Sequence, residues 1–171
     1  MRKLAGVVAG MALIAGGGAA GAQTASEKPL TTLSVAEVRA LAVETGGAPG
    51  EVEHTKDDEY RIEVTYPDGL YVQFEGWSCT GGGEAKRCAE LMMNVDFEFD
   101  SEAEALAREH EVNIVWLSDM ATGNRLKVWR MDYLAGMTRG RVRGMFDTFL
   151  MTVGAARDIV FPPKDGGAAG K

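Results

Sequence analysis

Tyr60-Arg61-Ile62-Glu63-Val64-Thr65-Tyr66-Pro67-Asp68-Gly69-Leu70-Tyr71-Val72-Gln73-Phe74 alternates apolar and polar residues on both sides of a turn sequence. Tyr60, Ile62, Val64 and Tyr66 fall on one side of an extended chain, and Arg61, Glu63 and Thr65 on the other. Pro67-Asp68-Gly69 reverses the chain: proline presets φ, aspartate bonds its own backbone, and glycine accepts a positive φ. Leu70, Val72 and Phe74 then carry the apolar face back. The stretch predicts a β-hairpin with one face that the rest of the chain must cover.

The flanking segments supply that cover. Upstream, Ser34-Val35-Ala36-Glu37 forms a capping box, Leu33 and Val38 occupy the staple positions, and Gly46-Gly47 offers a left-handed stop. Val35, Val38, Leu41 and Ala42 make the apolar face of this helix. A short strand around Glu51 to His54 is expected between it and the hairpin. Downstream, Ala89, Leu91, Met93, Val95, Phe97 and Phe99 alternate with polar residues and predict the longest strand. Ser101-Glu102-Ala103-Glu104 opens a second capped helix to about His110, with Ala103, Leu106 and Ala107 as its modest apolar face. Val112 to Leu117 and Leu126 to Tyr133 flank a turn at Thr122-Gly123-Asn124 and predict a second hairpin. Alternation breaks at Val128-Trp129, which implies a bulge or a strand covered on both faces. In the last helix, capped by Thr138, the residues Val142, Met145, Phe146, Phe149, Leu150 and Val153 recur at helical spacing, and Pro162-Pro163 ends it. The order α-β-β-β-α-β-β-α predicts an α+β domain with a mostly antiparallel sheet of about five strands and helices packed on it.

The chain's start bears on where this domain works. Met1-Arg2-Lys3, the apolar Leu4 to Ala15 and Ala20-Gly21-Ala22 have the three parts of an export signal, cleaved before Gln23. An uncleaved anchor is the competing reading, but six glycines between Gly6 and Gly21 dilute the hydrophobicity. The expected organisation is a signal peptide over 1–22, a polar leader over 23–32, the domain over 33–161 and a disordered tail over 162–171. Roughly 150 residues remain after cleavage, the size of one domain. Losing two basic residues makes the chain more acidic than its formal −7, so it is expected to bind no nucleic acid and to keep no stable membrane insertion. A periplasmic or secreted location would oxidise Cys79 and Cys88, the only two cysteines, into one disulfide closing the loop Thr80 to Arg87.

Three groups of residues invite a chemical reading. The loop Gly76 to Lys86 is glycine-rich, but it lacks the Gly-Lys-Ser/Thr ending of a phosphate cradle and leads into a strand, so it reads as a flexible, disulfide-closed hairpin tip. Trp77 on it either packs on the disulfide or grips a ligand. Asp96, Glu98 and Asp100 would line one strand face, a solvated row or a set of oxygen ligands for a hard cation. Arg139, Arg141 and Arg143 oppose the dipole of the last helix. They either answer the acidic strand face or join Arg125, Lys127 and Arg130 in a patch for an anionic partner; the acidity of the whole chain favours an intramolecular or solvated role. No nucleophile elbow and no His-Glu-x-x-His motif occurs, and His54 and His110 are the only histidines available for acid/base work. No catalytic, cofactor or metal residues are therefore assigned.

Three stretches resemble the YbjN family, small bacterial proteins described as sensory transduction regulators. They are the capped first helix ending in Gly46-Gly47, the aromatic strand running into Cys79 with a basic residue before Cys88, and Met131-Asp132-Tyr133-Leu134-Ala135-Gly136-Met137-Thr138 before the last helix. The resemblance spans residues 33–160. Where family members carry Asn-x-Trp-Asn, this chain has Glu104-Ala105-Leu106-Ala107. The family resembles type III secretion chaperones in fold, which implies a peptide-binding or dimerising surface. The leading expectation is a non-enzymatic binding or regulatory module for an unidentified protein or peptide, with Trp77, Trp129 and Tyr133 as candidate contact residues. The rivals are a small periplasmic hydrolase or cation-dependent enzyme, built on His110, the Asp96 row, or Ser78 or Ser118 with a histidine, and a homodimeric envelope protein.

Overall fold

The computed structural model describes residues 28–111 and 118–162. The predicted signal peptide, the start of the leader, the stretch 112–117 and the tail from 163 lie outside the described residues. The elements in chain order are β1 (Leu33–Ser34), α1 (Val35–Glu44), β2 (Ala48–Lys56), β3 (Glu59–Thr65), β4 (Tyr71–Thr80), β5 (Arg87–Glu98), α2 (Glu102–Glu111), β6 (Ser118–Thr122), β7 (Arg125–Tyr133) and α3 (Arg139–Val160). This is an α+β fold with an antiparallel sheet in the order β2-β3-β4-β5-β7-β6. The two-residue β1 pairs with β5 through Leu33↔Cys88 and Ser34↔Arg87.

Among the described residues the sheet thus has seven strands where about five were expected. The nine-residue β2 replaces the short strand around Glu51 to His54. It is an edge strand with little buried surface, so it needs no apolar alternation, and an edge tolerates Pro49 and the register breaks on either side of Val52-Glu53. The central hairpin runs in unbroken register from Tyr60↔Gly76 to Thr65↔Tyr71. At its turn Gly69 has φ +80°, and the Leu70 N–H donates to Asp68 Oδ1 at 3.1 Å. The second hairpin pairs β7 with Ser118–Thr122, later in the chain than the expected partner.

The first and last helices form from the signals that predict them. The Ser34 N–H donates to Glu37 Oε2 at 2.7 Å and the Glu37 N–H to Ser34 Oγ at 3.2 Å, closing the capping box. Gly46 at φ +89° ends α1. Thr138 Oγ1 accepts from the Arg141 N–H at 3.2 Å to cap α3. The apolar stripes of α1 and α3 bury against the hairpin, and the Phe146 ring stacks on Phe74 with centroids 4.7 Å apart. Among the described side chains of α2, Ala105 is buried, while Ala103, Leu106 and Ala107 are exposed. The expected stripe was out of phase, because a short helix lying across β6, β7 and α3 presents one small contact and not a wide face.

No bulge interrupts β7, which pairs with β5 residue by residue from Glu90↔Tyr133 to Glu98↔Arg125. Val128 enters the core and Trp129 is half-buried on the opposite face, so the broken alternation marks a strand partly covered on both sides. Leu30 also joins the fold: its N–H donates to Met137 O at 2.6 Å, and its carbonyl accepts from the Gly136 N–H at 2.9 Å.

Cys79 and Cys88 stand directly across from each other on β4 and β5, with Cα atoms 3.9 Å apart and sulfurs at disulfide distance. The tip they close is folded and anchored. A 3-10 turn over Gly83–Ala85 brings in Lys86, which is 4% exposed, and its Nζ donates to Lys56 O at 3.2 Å and Glu59 O at 3.1 Å. The Cys79 N–H donates to Asp58 O at 3.0 Å. The β4–β5 tip is therefore tied to the β2–β3 turn. Lys86→Met keeps most of the stem but leaves two carbonyls without their donor, and it is expected to cost about 1–3 kcal/mol. Urea unfolding measures this, and an unchanged midpoint would mean that the anchor adds nothing.

Candidate functional site: the open face of the sheet

Among the described residues α3 contacts both α1 and α2, the helices pack on the core side of the sheet, and no helix covers the opposite side. Strand alternation and register place specific residues there. One row across the strands is Glu63, Gln73, Asn94 and Trp129; the next is Arg61, Glu75, Met92 and Met131; a third is Trp77, Glu90 and Tyr133. Trp77, Trp129 and Tyr133 thus share one face, although they come from strands far apart in sequence. Met131 and Tyr133 are exposed, whereas Trp77 and Trp129 are half-buried.

A polar network fixes the centre of this face. Arg61 Nη2 lies 3.5 Å from Glu75 Oε1, and the same oxygen accepts from Asn94 Nδ2 at 3.3 Å. Asn94 is 1% exposed and Glu75 9%, unusual burial for a sheet face without helices. Neighbouring side chains cover them, and their mutual bonding offsets the desolvation.

Alternation breaks at Ser78, a non-glycine residue with φ +54°. Beyond it Cys79 and Cys88 join the core, where Cys88 and the Tyr60 ring meet over Gly76. Burial raises the pKa of the Tyr60 hydroxyl. Trp77, the residue before the break, faces Arg61 and Glu75, and the Lys56 ammonium lies 5.9 Å from its ring centroid. Trp77 sits in a shallow depression formed with β2 and β3, while Cys88 lies beside the Tyr60 ring.

The charged candidates are distributed differently from expectation. Asp96 and Glu98 are exposed on the open face, but Lys127 and Arg125 stand opposite them on β7, and Arg125 Nη2 lies 2.7 Å from Glu98 Oε1. Asp100 falls beyond the end of β5. Among the described residues no three His, Cys, Asp or Glu side chains converge as a metal site. The basic residues form no single patch: Arg139 pairs with Glu44, and Arg130 makes a bidentate pair with Asp132 on the core side, with Nη2 to Oδ1 at 3.0 Å. Ser78 Oγ donates to Glu90 Oε1 at 2.9 Å, and His54 lies on exposed β2 beside Gly81 to Gly83. The side chains of His110 and Ser118 lie outside the described residues.

The joining of Trp77, Trp129 and Tyr133 on one face follows from strand order, which no local pattern in the sequence reports. Asn94 was missed for a related reason: it looks like one polar position among several in β5, and only its cross-strand partner Glu75 explains its burial.

No protein-family model matches the chain, and no curated protein matches it. Among solved structures, an uncharacterized protein from Methanothermobacter thermautotrophicus is similar, with a TM-score of 0.53 at 10% identity over 75% of this chain and 96% of that one. At that identity the likeness shows the fold alone.

Proposed function

We propose that this chain is an exported, YbjN-like binding or regulatory module, without catalytic activity, that engages a peptide or protein on the open face of its sheet. The observation that carries the reading is the gathering of Trp77, Trp129 and Tyr133 on that face, with Met92 and Met131 between them. Aromatic and methionine side chains on a rigid sheet offer large contact area at low entropic cost. Export is supported by the signal-like first 22 residues and by two cysteines at disulfide distance. No described helix is long and apolar enough to cross a membrane.

The test compares a tagged wild-type chain with Trp129→Ala/Tyr133→Ala in crosslinked capture from the host's own envelope fraction. The double variant is expected to keep its circular dichroism and melting curve and to lose a specific partner about tenfold or more, since aromatic hot spots contribute about 2 kcal/mol or more each. Equal capture by both proteins would overturn the proposal.

A further inference from the structure

The open face carries a notch of about 260 Å³ where β4 begins and β5 continues. Pairing between them reaches Gln73↔Asn94, and from there β5 runs on to Glu98 with β7 as its partner. Glu63, Tyr71 and Gln73 line one side and Asp96, Glu98 and Arg125 the other, with Asn94 between them. Three carboxylates thus meet one guanidinium, which is already paired with Glu98. Glu63 and Asp96 have no basic side chain in ion-pair contact among the described residues. A hydrogen bond to Glu63, helped by desolvation and by the charges of Glu63 and Glu53, pushes the Tyr71 hydroxyl up to about 12.

The apolar part of the face begins beside this notch. Trp129 is the cross-strand neighbour of Asn94, and Met131 and Tyr133 continue along β7. Tyr71 is 47% exposed and borders the acidic side. An aromatic rim next to surplus carboxylates suits a long cationic side chain, whose methylenes pack on the ring while its charge reaches the acids. We propose that the partner of the open face is a basic peptide segment, with a lysine or arginine seated in the notch and an apolar neighbour on the Trp129–Tyr133 band. This rests on the reading of the open face as the docking surface and adds the chemistry of what docks. Charge complementarity selects the occupant, since an acidic segment would bring like charge against Glu63 and Asp96.

Two fluorescently labelled peptides test the assignment, one alternating leucine with lysine and one alternating leucine with glutamate, titrated by anisotropy at ~0.15 M ionic strength, where exposed charges are screened beyond ~8 Å. The lysine peptide is expected to bind the wild-type chain about tenfold or more tightly than the glutamate peptide. Glu63→Gln/Asp96→Asn should weaken the lysine peptide about tenfold, whereas Glu102→Gln/Glu104→Gln, which removes equal charge from exposed α2 positions, should leave it unchanged. Equal binding of the two peptides, or equal weakening by both double variants, would overturn the notch assignment. Under either outcome, loss of both peptides in Trp129→Ala would still uphold the open face. Failure of both peptides to bind the wild-type chain would sink both readings.

Discussion

Phe146→Ala should lower folding stability by about 3–5 kcal/mol, the range for removing a fully buried aromatic ring. Phe146 is 0% exposed and stacks on Phe74, itself 0% exposed, at the point where α3 meets the central hairpin. Alanine would remove the ring area from the core, forfeit the offset stack, and leave a cavity that rigid neighbours cannot fill. The loss is a large fraction of a small domain's total of about 5–15 kcal/mol. Urea denaturation should show a lower midpoint at an unchanged slope. A loss below about 1 kcal/mol would mean that α3 does not seat on the sheet through this ring.

The second large effect is expected at Gly76, from adding one carbon. A Cβ there would overlap the Tyr60 ring and stand 2.7 Å from Cys88 Sγ. Neither neighbour can retreat easily: Tyr60 is 1% exposed, and Cys88 is tied to Cys79. Gly76→Ala should cost about 1–3 kcal/mol as overpacking. Adding Tyr60→Leu should recover part of that loss, because the two substitutions share one contact. Gly82→Ala is the control, since its φ of −148° suits any residue and nothing lies within 4 Å of the added carbon. Equal stability of Gly76→Ala and Gly82→Ala would refute the close packing over Gly76.

What the sequence made legible follows a physical division. Where a residue's environment depends on its neighbours in the chain, as in the Ser34-Glu37 box or the alternation from Tyr60 to Phe74, local chemistry and final structure coincide. The edge strand β2 was read short because an exposed strand is held by backbone pairing, which any sequence can supply. The phase of α2 was misread because Ala105 is buried by tertiary contact, while the larger Leu106 projects outward. Trp77, Trp129 and Tyr133 could be named as contact candidates from residue type, but their shared face depends on β7 entering the sheet beside β5. Among the basic residues internal pairing is what the structure shows, Arg125 with Glu98, Arg130 with Asp132 and Arg139 with Glu44.

The tie between the β4–β5 tip and the β2–β3 turn gives the sheet a mechanical polarity. At that end a covalent link, a buried ammonium and the Val35 N–H bond to Lys86 O hold four strands and a helix to one another. At the other end β4 and β5 part company beside the notch. That other end is held by different means, the Asp68–Arg157 ion pair and the pairing of β5 with β7 out to Glu98. Reduction would therefore loosen the Trp77 end of the binding face and leave the notch end untouched.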